Sequence, residues 1–129
     1  MNPVYSAELP SKGDLFDFYE KLGWNAFLGL CADELLEAMR GSHFSVYVYI
    51  DGVLAGTGRV VSDGVISAYI CGVGVLPEFQ NQGIGTEIMK RLRLQCDDQN
   101  LHVQFFCGTG LVPYYKKIGA HEFAVGMRY

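Results

Sequence analysis

Gln80-Asn81-Gln82-Gly83-Ile84-Gly85-Thr86 is the segment of this chain whose residue types and spacing point most directly to chemistry. It follows an alternating apolar stretch, Val73-Gly74-Val75-Leu76, and a Pro77-Glu78 turn, and it runs into apolar residues repeating at helical spacing, Ile84, Ile88, Met89, Leu92 and Cys96. A turn rich in bare backbone N–H groups therefore opens a helix. The first N–H groups of a helix have no partner inside it, and the aligned peptide dipoles leave roughly half a positive charge there. Gly83 and Gly85 carry no Cβ, so a pyrophosphate can come close to the backbone. The chemistry predicted is the binding of a diphosphate-like anion.

Two common phosphate-binding patterns do not fit. The segment lacks the third glycine of a G-x-G-x-x-G dinucleotide fingerprint and the Lys-Ser/Thr pair of a P-loop. It resembles instead the [Gln/Arg]-x-x-Gly-x-[Gly/Ala] signature with which the GNAT superfamily of N-acetyltransferases grips the pyrophosphate of acetyl-CoA. A second block, Tyr114-Tyr115-Lys116-Lys117-Ile118-Gly119-Ala120, resembles that family's Phe-Tyr-x-x-x-Gly-Phe element and lies one helix and one strand downstream. The resemblance covers the chain from about Phe44 to its end. It implies an α/β fold (α+β mixed) with a mixed, mostly antiparallel sheet of six to seven strands flanked by about four helices. The parallel strands at its centre, Val65 to Val75 and His102 to Cys107 here, would splay apart to admit the cofactor.

Moving an acetyl group from a thioester to an amine requires a cofactor clamp, a neutral nucleophile, a donor for the developing oxyanion and a proton for the departing thiolate. The clamp is assigned to Gln80, Asn81, Gln82, Gly83, Ile84, Gly85 and Thr86. Main-chain groups of Val73, Gly74 and Val75 can pair with the pantetheine arm as an added strand. The Val75 N–H is the expected oxyanion donor, a role in which one fixed dipole is worth about 3 kcal/mol. Tyr115, matching the family's tyrosine, is the expected proton donor and lies against the cofactor. A phenol near pKa 10 and a thiol near 8.5, both approximate model values, exchange a proton readily.

The general base is the gap in this scheme. Many relatives carry a carboxylate on or beside the fourth strand, but Tyr69-Ile70-Cys71-Gly72-Val73 holds no acid. Glu78 is the nearest carboxylate in sequence and the catalytic candidate; Asp63, His43 and His102 are weaker ones, and an ordered water is the remaining alternative. Tyr19 and Trp24 are candidates for contact with the acceptor, whereas Phe16, Phe18 and Phe27 are assigned mainly to the core.

These groups must be positioned by a short chain. With 129 residues, residues 1–129 are taken as one domain, able to bury about two thirds of its unfolded surface. Half the residues are hydrophobic and 19% charged, which excludes a disordered polar chain, and no apolar run approaches the roughly 18 residues of a membrane span. Net charge −4 weighs against nucleic acid and leaves cationic small molecules open. Cys31, Cys71, Cys96 and Cys107 show neither C-x-x-C pairing nor dense spacing. They are expected to be reduced thiols of a cytoplasmic protein without a structural metal.

A strand is predicted from about Pro3 to Glu8, a helix capped by Asp14 and stopped by Gly23, and a helix from Ala32 to Met39. Asp51-Gly52 supplies the positive φ values of a hairpin turn between strands Phe44–Ile50 and Val53–Val61. Asp63-Gly64 makes a further reversal, Val112 to Ile118 a short helix, and Glu122 to Met127 a last strand. The function expected is transfer of an acetyl group from acetyl-CoA to a primary amine, most simply on a small molecule, by direct attack in a ternary complex. The alternative is a non-catalytic acyl-CoA-binding regulatory domain. The expected partner is a small-molecule amine acceptor, with no nucleic acid and no membrane, and a homodimer is left open.

Overall fold

The computed structural model describes residues 2–129. Elements follow in the order β1 (Val4–Ser6), α1 (Lys12–Lys21), α2 (Asn25–Leu28), α3 (Ala32–Arg40), β2 (Phe44–Ile50), β3 (Val53–Ser62), β4 (Ser67–Val75), α4 (Ile84–Asp98), β5 (His102–Phe105) and α5 (Val112–Lys117), with 3₁₀ turns at Pro77–Phe79 and Thr109–Leu111. The strands form one sheet in the order β1-β2-β3-β4-β5. Every neighbouring pair is antiparallel except β4 and β5, which run parallel. The fold is thus the mixed α/β architecture expected, with five strands rather than six or seven and five helices rather than four.

The missing strand is the predicted one at Glu122–Met127. The segment stays unpaired although β5 is the outer strand of the sheet, and Phe123, Val125 and Met127 are 59, 83 and 88% exposed. Alternation alone does not make a strand. At the other end of the chain, β1 is reduced to three residues paired with β2. Helix α1 starts three residues earlier than predicted, because Ser11 rather than Asp14 caps it: the Ser11 hydroxyl accepts the Asp14 N–H at 3.1 Å. Asp51 and Gly52 both take positive φ, 50° and 77°, as the hairpin turn requires.

Both faces of the sheet are covered. On one, Val48, Ile50, Val60, Ala68 and Ile70 meet Ile84, Ile88, Leu92 and Cys96 of α4. Close approach of this helix depends on glycine, since a Cβ on Gly58 of β3 would lie only 2.6 Å from Ile88 Cγ2 and 2.9 Å from Leu92 Cδ1. On the other face, Leu15, Phe18 and Tyr19 of α1 and Leu35 and Met39 of α3 pack with Tyr47, Leu54 and Leu76.

The side-chain alternation of β4 is reset once. Thr57 pairs with Gly74 and Arg59 with Cys71, so Gly58 faces two residues and β4 bulges at Gly72 and Val73. Gly72 sits at φ +60°, and its carbonyl accepts the Thr57 hydroxyl at 3.0 Å. Residues 68 and 70 face α4 before the bulge; Val73 and Val75 face it afterwards.

Candidate acyl-transfer site

Strands β4 and β5 pair only from Ser67–His102 to Ile70–Phe105. Beyond that point β5 has ended while β4 runs on to Val75, so the edge of β4 from Cys71 onward has no strand on that side. The Leu76 N–H donates to Ala55 O at 2.8 Å, toward β3. Strand alternation then turns the N–H groups of Val73 and Val75 the other way, into the gap. The Val75 carbonyl faces that way too and accepts the Gln80 side-chain amide at 3.0 Å. Gln80 thereby ties the turn to the end of β4.

The glycine turn folds as its sequence predicts. Asn81 and Gly83 take positive φ, 63° and 82°. Gly83 precedes the first turn of the 15-residue helix α4, and no side chain caps that end. The first N–H groups of α4 are thus left for an external acceptor. A Cβ on Gly85 would lie 3.9 Å from both Val75 Cγ2 and Tyr114 Oη, which places the bare face of Gly85 between the end of β4 and α5. The Thr86 and Tyr114 hydroxyls pair at 2.6 Å and close the other side. An uncapped helix start, a glycine face and free strand N–H groups together fit the diphosphate and amide arm of an acyl-CoA.

A cavity of about 540 Å³ occupies the gap past the end of β5 and is lined from both faces of the sheet; the residues of the glycine turn do not line it. Val73, Met89, Phe105 and Tyr115 line it on the α4 side; Tyr19, Trp24, Phe27, Arg59, Tyr69, Cys71 and Gly72 line it on the side of α1 and α3. Tyr19 and Trp24 meet edge to face with centroids 5.0 Å apart. Trp24 also lies across β4: a Cβ on Gly74 would come within 2.6 Å of its ring. The Tyr115 ring packs on Phe105 and Tyr114, with centroids 4.8 and 5.0 Å apart. Burial, followed by the neighbouring Tyr114 and Cys107, raises the Tyr115 pKa, so this phenol holds its proton at neutral pH.

The candidate bases are not brought to this cavity. Glu78 stands exposed on the 3₁₀ turn and does not line it. Asp63 accepts the N–H groups of Val65, Ile66 and Ser67 at 2.8, 2.7 and 3.3 Å, and those bonds hold its pKa down. It is the cap of the β3–β4 loop. The exposed His43 ring lies 2.6 Å from Gln99 Oε1, away from the cavity. No Asp, Glu or His side chain lines the cavity among the described residues. Gly72, the strand position without an acid, is constrained by its positive φ, which a carboxylate-bearing residue adopts only with strain. Of the basic groups near α4, Arg91 pairs with Glu87 at 2.8 Å and Arg93 with Asp97 at 3.6 Å, and Lys116 of α5 faces Glu122 at 3.5 Å.

Arg59, Tyr69, Cys71 and Phe105 are cavity residues that the sequence reading does not assign. One signal for Arg59 is visible in the sequence: it is the only charged residue in the stretch Val53–Val61.

A mixed sheet whose parallel pair parts over a glycine turn, with a cavity passing through the gap, defines a GNAT-like fold. Over residues 14–120 the sequence matches the Acetyltransferase (GNAT) family, and the chain belongs to it. Solved structures of similar fold include a probable acetyltransferase of methicillin-resistant Staphylococcus aureus, 19% identical over 99% of this chain and 100% of that one, TM-score 0.81. Glucosamine-6-phosphate N-acetyltransferase of Arabidopsis thaliana is 19% identical over 98% of this chain and 97% of that one, TM-score 0.76. A predicted acetyltransferase of Clostridium acetobutylicum, solved with acetyl-CoA, is 15% identical over 99% of this chain and 96% of that one, TM-score 0.70. No curated protein matches the chain in sequence. No helix among the described residues is long and apolar enough to cross a membrane.

Proposed function

We propose that residues 1–129 act as one acetyl-CoA-dependent N-acetyltransferase domain on a primary amine of a small molecule. The observation that supports this most is the gap beside β4: one cavity takes in Val73 on the free edge of that strand, Tyr115 and an aromatic chamber large enough for a small acceptor, and the same strand leads on to the glycine turn.

The bound cofactor supplies the activated acetyl group. The N–H groups at the start of α4, with Gly83 and Gly85, hold its pyrophosphate, and the edge of β4 aligns its amide arm. Val73 and Val75 both aim N–H groups into the gap. Val73 lines the cavity with Tyr115, which favours it as donor to the thioester carbonyl and leaves Val75, the donor expected from sequence, for the arm. In the transfer the acceptor nitrogen would form the new C–N bond as the C–S bond breaks and give its proton to water, while Tyr115 would protonate the departing sulfur and regain a proton from water.

Release of thiol with a panel of amines tests this reading. Turnover with any of them supports the enzyme, whereas cofactor binding without thiol release across the panel supports the regulatory alternative. The pH dependence is a second expected result. Besides Arg59, the titratable groups around the cavity are phenols and thiols; burial raises the pKa of Tyr19, Tyr69, Cys71 and Tyr115 above the ordinary values. None is poised as a base near neutrality. The rate should therefore rise with pH until the acceptor's own amine has titrated, at a different pH for each acceptor. Profiles for two amines of differing pKa check this, and a shared inflection at about pH 6–7 would reveal a base belonging to the enzyme.

A further inference from the structure

Among the described residues, Arg59 is the only Lys, Arg, Asp or Glu that lines the cavity. It lies on β3 opposite Cys71 of β4 and extends toward α1 and α3. Nη1 donates to Ser42 Oγ at 3.2 Å, while Nε is buried without an acceptor. Arg40, Arg91 and Arg93 have carboxylates in reach at 3.8, 2.8 and 3.6 Å, whereas among the described residues no carboxylate pairs with Arg59 or with the exposed Arg128 near the chain end. The Tyr19 hydroxyl and Arg59 Nε each lie 3.6 Å from the place a Cβ on Gly72 would occupy, so both border the same bare patch of β4. Neither Tyr19 nor Cys71 supplies a counter-charge, since both hold their protons.

Arg59 is half-buried beside an apolar chamber with no carboxylate partner, and its planar fork suits a carboxylate. We propose, resting on the acetyltransferase reading above, that Arg59 with Tyr19 seats a carboxylate carried by the acceptor, which is an amino carboxylate with an aromatic-sized apolar side chain. One guanidinium balances one negative charge. A phosphate dianion would leave an unbalanced charge among Trp24, Phe27, Tyr69 and Phe105, and a polyamine would meet Arg59 with no acid to receive it. Cys71, opposite Arg59, and Val73 are two residues apart on β4, less than about 7 Å at strand rise, so one small molecule can reach both the cation and the thioester end.

The probes are phenylalanine, its uncharged amide, phenethylamine and phosphoethanolamine as acceptors, and 3-phenylpropionate as a ligand without an amine. At equal concentrations of neutral amine, kcat/KM for phenylalanine is expected to exceed that for phenylalaninamide by about tenfold or more, because a site built for a carboxylate penalises its loss. Arg59→Gln should bring the two within about twofold, and Arg59→Lys should keep part of the preference. Trp24, the only tryptophan, reports seating directly: 3-phenylpropionate should quench its fluorescence in the wild type and not in Arg59→Gln. Equal use of phenylalanine and phenethylamine, preference for phosphoethanolamine, or unchanged 3-phenylpropionate affinity in Arg59→Gln would overturn the proposal. Arg59-dependent quenching with no thiol release from any amine would uphold the anion seat and remove the acetyltransferase reading beneath it.

Discussion

Gly85→Val is expected to abolish acetyl-CoA binding while leaving the protein folded. Gly85 lies in the first turn of α4, where a Cβ meets only Val75 Cγ2 and Tyr114 Oη at 3.9 Å, ordinary contact distances. A Cβ there fits the protein, and the branches of a valine are expected to fill the space in which a pyrophosphate would reach the helix N–H groups. Losing two charge-assisted hydrogen bonds at about 1.5–3 kcal/mol each corresponds to roughly 10²–10⁴-fold in affinity. Calorimetric titration, with a melting curve on the same sample, checks it, and an affinity within a few fold of the wild type would remove the clamp from this turn. Gly83→Val is the less clean variant, because Gly83 has φ +82° and the substitution strains the backbone whatever it does to binding.

Tyr115→Phe should lower kcat by about 10²–10³-fold, the usual scale for losing a positioned acid, with little change in cofactor affinity. The phenylalanine ring keeps the packing on Phe105 and Tyr114, so only the proton is lost. Since burial raises the Tyr115 pKa, the wild type should show no falling limb from this group below the ordinary phenol range. Measured kcat against pH for both forms decides the point. Full activity in the variant would make Tyr115 a packing residue and water the proton source.

The proposed cofactor cleft is the part of this chain whose local conformation was most legible, because its ingredients lie close together in sequence. A glycine turn, an uncapped helix start and an Asp-Gly hairpin are each written in a few consecutive residues, and these form where the sequence places them. The cavity proposed for the acceptor was far less legible, since it is assembled from residues distant along the chain. Arg59 and Cys71 meet through strand register, and Tyr19 joins them through the docking of α1. Register at that point depends on the bulge at Gly72, which period-two alternation does not announce. The final strand illustrates the converse failure, in which Glu122–Met127 had a strand's pattern but does not pair with the outer edge of β5.

Helix α4 serves two masters. Its first turn is the proposed cofactor seat, while Ile84, Ile88, Leu92 and Cys96 along the same rod are nearly solvent-free in the main core. Occupancy of the seat and global unfolding are therefore one linked equilibrium, and cofactor at a hundred times its Kd would add about 2.7 kcal/mol to the native state. Such a difference lowers the transiently open population by roughly a hundredfold, and degradation that acts on open molecules slows in proportion. If the seat takes acyl-CoA, the lifetime of the folded protein would lengthen with the cofactor present around it.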